Sequence, residues 1–183
     1  MKNHYFKHKL PKESGAVLIT GMIFLVVLTI IVISALRSGT LEERMAANAR
    51  DRQLALQAVE AVVRDAEVVL LAISTFDPSI FTAACTNGYC SRPAVGSTPR
   101  WQTTTWGTNT RTFAATTSNL TVVASQPQYI VEYIAAEGGQ PPKICPTLLF
   151  RITAQGVGSD STAVFVESML RHRPNRFADG YCG

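Results

Sequence analysis

Residues 12–40 read KESGAVLITGMIFLVVLTIIVISALRSGT, and the fold turns on what this stretch is. From Ala16 to Leu36 there is no charge and no proline. Helical residues rise 1.5 Å each, so about twenty of them cross a hydrocarbon core of about 30 Å. The hydrophobic region of a secretory signal peptide is shorter, about 7–15 residues, and ends in a small-residue cleavage site. Here the run is longer, and Arg37-Ser38-Gly39 closes it without such a site. The simplest reading is therefore a retained membrane anchor with its basic head on the cytoplasmic side.

The next residues argue for more than an anchor. Residues 40–71, TLEERMAANARDRQLALQAVEAVVRDAEVVLL, contain no proline or glycine and are rich in good helix formers. Leu54, Ala58, Ala61, Val62, Ala66 and Val69 form an apolar stripe at helical spacing, with Glu43, Arg50, Asp51, Arg64, Asp65 and Glu67 largely off it. Thr40-x-x-Glu43 has the form of a capping box, which predicts a fresh helix start after Gly39. Pro78 is expected to stop the helix.

An amphipathic helix needs a partner layer, and the C-terminal third supplies one. In QYIVEYIA, Tyr129, Val131 and Tyr133 share a face; in TLLFRITA, Leu148, Phe150 and Ile152 do. STAVFVESML alternates Val164, Val166 and Ser168 with Phe165, Glu167 and Met169. These are strands of an antiparallel sheet with one apolar face. Gln155 to Asp160 reads as the turn between the last two. Residues 77–120 are rich in Thr, Ser, Gly, Asn and Pro, and read as loops and short strands with Trp101 and Trp106 as packing anchors.

The chain has 183 residues and a formal charge of +4, with a sequence pI of about 9.0. Lys2, Lys7, Lys9, Lys12 and Glu13 give the first fifteen residues +3 of that total. The basic pI thus describes a short head and is poor ground for a nucleic-acid surface. Arg171, Arg173 and Arg176 form a small basic tail, a minor candidate for DNA contact that reads more simply as a solvated strand end. Cys85, Cys90, Cys145 and Cys182 all lie beyond the apolar run, as disulfides in an oxidising compartment would. Four cysteines allow three pairings. The Asn87-Gly88 turn signal favours Cys85–Cys90, which leaves Cys145–Cys182 to pin the C-terminus. The rival is a zinc site, which lacks the second closely spaced pair such sites show.

Enzyme chemistry has little to stand on. The histidines are His4, His8 and His172, the last beside Arg171 and Arg173 at a strand end. There is no G-x-S-x-G and no phosphate-binding G-x-x-x-x-G-K-[ST] loop. Glu42-Glu43 and Asp65/Glu67 sit among arginines on a helix and read as surface ion pairs, and Asp160 alone makes no calcium site. No catalytic residue, cofactor site or metal site is expected.

A long N-terminal helix, apolar then amphipathic, laid on an antiparallel sheet resembles the type IV pilin fold, an α+β class. The leader fits: it is short and basic, and Lys12-Glu13-Ser14-Gly15 directly precedes the apolar run. ALRSGTLEERMAANARDRQLALQAVEA resembles most specifically the PilX-type minor pilins, and LLFRITAQGVGSDSTAVFVESMLRH is similar to their final hairpin; residues 75–120 match no known pattern. The resemblance implies residues 1–15 as a prepilin leader cut after Gly15 by a prepilin peptidase, with Ala16 then N-methylated. It implies residues 16–36 as a transmembrane and filament-core helix, 37–71 as the amphipathic helix and 72–183 as a globular periplasmic region. It places the protein in the bacterial inner membrane, single-pass, and then at the pilus tip. Its implied partners are other minor pilins, the major pilin, the inner-membrane assembly platform and a large tip adhesin, with roles in adhesion and twitching motility.

Thr20 departs from the family. It would be the fifth mature residue, where most type IV pilins carry a glutamate that pairs with the N-terminal amine of the next subunit. A subunit with no neighbour above it needs no such carboxylate. The expected function is a non-enzymatic minor pilin of a tip complex that primes pilus assembly. The alternatives are a minor pseudopilin of type II secretion and, from a different class, an envelope binding module or adhesin on a signal anchor that keeps Met1–Gly15. A membrane-anchored hydrolase ranks third for want of residues.

Overall fold

The computed structural model describes residues 15–113, 119–138, 145–160, 162–177 and 180–181. One helix, α1 (Ala16–Leu71), passes through two compact units whose boundary falls between Ala47 and Asn48. It is followed by β1 (Thr75–Phe76), β2 (Tyr89–Ser91), a single turn of helix α2 (Arg100–Thr103), β3 (Arg111–Thr112), β4 (Gln128–Glu137), β5 (Thr147–Val157), β6 (Ala163–His172), β7 (Arg176–Phe177) and β8 (Gly180–Tyr181).

In the first unit the helix is apolar and exposed along its length from Val17 to Leu36. The expected restart at Thr40 does not occur. The helix runs unbroken through Gly39, and the Thr40 hydroxyl donates 2.9 Å to the Arg37 carbonyl instead of capping a new N-terminus. The hydroxyl is satisfied one turn back, so the capping box never forms.

In the second unit the sheet order is β2-β4-β5-β6, with β3 also on β4. The β4, β5 and β6 strands are antiparallel, as the alternation predicted, with a register shift between Tyr133 and Ala135. The short strands depart from that rule: β2 runs parallel to β4, and β1 runs parallel to β7 in a separate three-stranded sheet with β8. Tyr129, Val131, Leu148, Phe150, Ile152 and Ala154 form the buried inner face beneath Val59, Val62, Ala66 and Leu70 of α1.

The helix stripe is rotated from the one read in the sequence. Ala58, Val62 and Ala66 are buried as expected, but Asp51, Ala55, Val59 and Leu70 join them, while Leu54, Ala61 and Val69 sit on the shoulders. The reason is on the sheet. A Cβ at Gly156 would lie 2.5 Å from the Ala55 carbonyl oxygen and 2.6 Å from Val59 Cγ2. One at Gly158 would lie 2.5 Å from the Asp51 carbonyl oxygen. Two glycines thus let the helix backbone approach the end of β5, where Ala55 and Val59 meet Gly156 and Asp51 meets Gly158. Gln155, Gly156 and Val157, expected in a turn, are strand residues; β5 runs to Val157 and the turn begins at Gly158.

Asp51 fixes this contact. It is 6 % exposed. Its Oδ1 accepts from Ser159 Oγ and Asp160 N, each at 2.9 Å, and its Oδ2 from Thr162 N at 3.2 Å. Hydrogen bonds from the Thr162 side chain, then from the Asp160 backbone, hold the carboxyl well below the usual aspartate value against the opposing effect of burial.

The helix ends before Pro78. Ala72 N still bonds to Val68 O, Ile73 N to Leu70 O tightens the last turn, and the chain then enters β1 to pair with β7. Pro78 opens a separate 3-10 turn, Pro78–Ile80, capped by Asp77, whose carboxylate accepts 2.8 Å from Ser79 N.

Two outcomes are expected. Gly156→Ala lowers the unfolding free energy of the detergent-extracted full chain by about 1–3 kcal/mol, read by denaturant titration, because the helix must move away. Because the folded-state pKa of Asp51 is depressed, its contribution is fully present above pH about 4, the unfolded aspartate value, and is lost as pH falls below it. Asp51→Asn therefore lowers the melting midpoint at neutral pH, and its deficit against wild type shrinks in acid; a deficit that does not change with pH contradicts the assignment.

Candidate functional site

The first candidate site is the start of α1. Gly15 is a turn residue and Ala16 is the first helical residue, so the expected processing junction falls at the helix boundary. Of the expected leader, residues 1–15, all but Gly15 lie outside the described residues. Thr20 Oγ1 lies 3.0 Å from both the Ala16 and the Val17 carbonyl oxygens. A hydroxyl that donates to its own helix is satisfied without a neighbour and carries no charge. An unpaired carboxylate at the same place would be costly in a hydrocarbon or an apolar bundle.

The second candidate is the outer face of the sheet, opposite α1. Cys85 and Cys90 are joined by a disulfide. The loop between them turns with positive φ at Cys85, Asn87 and Gly88, which suits the Asn-Gly pair. Both cysteines are buried against Ile130 of β4, with Trp101 packed on them. The insert after α1 therefore covers one part of the outer face. Trp101 and Trp106 both meet Phe165 of β6, at ring-centroid distances of 5.4 and 5.3 Å, and Trp106 Nε1 donates 3.0 Å to the Trp101 carbonyl. Cys145 is buried and disulfide-bonded, and Cys182, its expected partner, lies outside the described residues.

Charges on this face are paired across strands. Arg151 of β5 donates from Nε (2.8 Å) and Nη2 (2.9 Å) to both carboxylate oxygens of Glu132, its register partner on β4, and its Nη1 lies 3.9 Å from Glu167 of β6. Glu132 is 1 % exposed, and the bidentate bond raises the guanidinium pKa further against desolvation. At the inner end of the sheet, Arg111 Nε donates 3.0 Å to the Tyr129 hydroxyl and the guanidinium lies 5.0 Å from the centre of the Tyr89 ring. Burial pushes the Tyr129 and Tyr133 phenols up. Asp65 of α1 adds to the field that holds the charge on Arg111.

The supposed basic tail is built into the fold. Arg171 pairs with Glu137, Arg173 Nη2 donates 3.2 Å to Thr147 Oγ1, and the Arg176 backbone belongs to β7. His172 ends β6, with Nε2 2.9 Å from the Ile73 carbonyl oxygen. Among the described residues, no group of His, Cys, Asp and Glu is placed to hold a metal ion.

The sequence reading missed Asp51, placed on the exposed side of its helix, and the glycines that receive it. A buried aspartate in an Ala-rich stripe, with a Gly-x-Gly-Ser-Asp turn elsewhere, was the available signal.

Two family models match the chain. PilX N-terminal matches residues 14–64, and Type IV pilus assembly protein PilX C-term matches residues 86–172. The second match covers the final hairpin and extends the likeness into the insert, residues 75–120, where the sequence alone offered no pattern. It begins inside the Cys85–Cys90 loop and ends with β6. No curated protein and no solved structure gives a significant match. The matches take in both the apolar start of α1 and the strands of the sheet, and the chain belongs to the PilX family of type IV pilus assembly proteins, a structural and non-enzymatic family.

Proposed function

We propose that this protein is a minor pilin of a tip-located complex that primes type IV pilus assembly. The observation that carries the reading is Thr20, whose hydroxyl closes on the Ala16 and Val17 carbonyls and leaves no charge at the fifth position after Gly15. A subunit inside the shaft carries a neighbour above it, and a carboxylate at this position is worth its burial only with that neighbour's amine to pair it. A subunit at the end has none. The hydroxyl satisfies itself and fits the end position.

In this reading residues 1–15 are a leader removed by a prepilin peptidase after Gly15, and Ala16 becomes the methylated N-terminus. Residues 16–36 anchor the protein in the bacterial inner membrane before assembly, as a single span, and join the filament core afterwards. Residues 37–71 carry that helix onto the sheet, and 72–183 form the periplasmic region. The partners are other minor pilins, the major pilin, the inner-membrane assembly platform and a large tip adhesin, and the assembled tip supports adhesion and twitching. The Cys85–Cys90 bridge is a structural clamp of the outer face in the oxidising compartment.

Intact mass of the membrane-extracted protein tests the processing. The expected result is a chain lacking Met1–Gly15 and carrying one methyl on Ala16 in wild-type cells, and an uncut chain without the peptidase. A retained leader in both contradicts the reading and favours an anchored envelope module. Thr20→Glu is expected to bring no gain in pilus counts or in incorporation, because an end subunit has no amine above it to pair the carboxylate; a several-fold rise in the amount of this subunit recovered along sheared shafts contradicts the tip placement.

A further inference from the structure

The sheet has two unlike edges. At one, β4 is covered by β2 and β3. At the other, β6 is the last strand: ten consecutive residues pair with β5 without a register shift, and among the described residues no strand and no backbone hydrogen bond from another segment reaches the opposite side. In a strand, N–H and C=O groups point alternately to the two sides, so a row of them about 30 Å long is left open.

Proteins ordinarily blunt such an edge with proline, lysine, a bulge or a very short strand. AVFVESMLRH, residues 163–172, has no proline, lysine or bulge, and its two outer-face charges, Glu167 and Arg171, lie beside Arg151 and Glu137 of the same sheet. Its outer-facing side chains are also not those of a solvated edge. Phe165 is 41 % exposed and Met169 53 % exposed. Trp101 and Trp106 flank Phe165, and Glu167 and Arg171 alternate with the two apolar residues. Trp, Phe, Met and Arg are the residue types that concentrate in protein interfaces.

We infer that the free edge of β6 is a strand-addition site that takes an extended segment of another pilus subunit. The row of open backbone groups specifies a polypeptide, since only another backbone satisfies it along its length. The side chains specify its pattern: apolar residues opposite Phe165 and Met169, and a basic residue near Glu167, whose half-exposed carboxylate lies 3.9 Å from Arg151, a cation already held by Glu132. This rests on the tip placement proposed above, which sets one copy of the chain beside different subunits and not beside itself.

The test is photocrosslinking in cells from Phe165→p-benzoylphenylalanine in the full chain. Mass spectrometry of the adduct identifies the joined peptide, with Gln102→p-benzoylphenylalanine as the exposed control. The expected result is an adduct from position 165, absent from 102, to an extended segment of a different pilus subunit. Its yield should fall about tenfold in a Met169→Lys background, the loss given by one such contact. The melting midpoint of the Met169→Lys chain should match wild type, because Met169 faces solvent. No adduct, an adduct only with a second copy of this chain, or an undiminished yield in Met169→Lys overturns the inference. So does quenching of Trp101 and Trp106 fluorescence by oligosaccharides with no protein adduct, which would make the aromatic cluster a sugar platform. Leader removal and pilus number, scored in the same cells, separate the two levels: normal values without the adduct overturn the edge assignment alone, and an uncut leader overturns the pilus reading beneath it.

Discussion

The close seating of α1 on the end of β5 is the contact on which the second unit depends. Gly156 and Gly158 remove the side chains that would hold the helix off, Ala55 keeps its surface low there, and Asp51 bonds the helix to the turn that follows. A helix against a sheet is usually held by interdigitating large side chains. Here two glycines on the sheet side admit the helix backbone itself. The hydrogen bonds from Ser159, Asp160 and Thr162 satisfy a carboxylate that burial would otherwise penalise. Beyond this point the core is filled by Val62, Leu70, Phe150 and Ile152.

With one face of the sheet given to α1, the other is free to be specialised. The insert covers part of it through the Cys85–Cys90 loop, Ile130 and Trp101, and the Arg151–Glu132 pair crosses the strands nearby. Among the described residues, what stays open is the β6 edge with its aromatic flank. A pilus assembly protein needs surfaces that other subunits recognise, and its apolar N-terminal helix offers little discrimination between them. The outer face, with charge, aromatic rings and open backbone groups in one place, is better suited to choosing neighbours.

The main lines of this fold were legible because they rest on periodicity. The apolar run and the alternation in QYIVEYIA, TLLFRITA and STAVFVESML each follow from one repeat length and are found where they were expected, while the helical stripe is present but rotated toward Asp51, Ala55 and Val59. The errors share a cause as well. Gly156 was read as a turn residue because glycine usually marks turns, whereas here it is emptied of a side chain by a helix distant in sequence. Asp51 was placed outside because charged residues usually are. Thr40 was read as a cap because its hydroxyl could serve a new helix, and it bonds backwards instead. Tertiary contact decided the first two, and a bond within the helix decided the third. The parallel pairing of β2 with β4 was equally out of reach, since a three-residue strand has no pattern of its own. At the helix start the sequence was more informative, because Thr20 is defined by its distance from Gly15 alone.

The central claim is that this subunit ends the pilus and does not repeat along it. The most direct measurement is immunogold electron microscopy of sheared pili carrying an epitope tag on this chain. The account predicts gold at one end of the filament and bare shafts. Gold distributed along the shafts would contradict it.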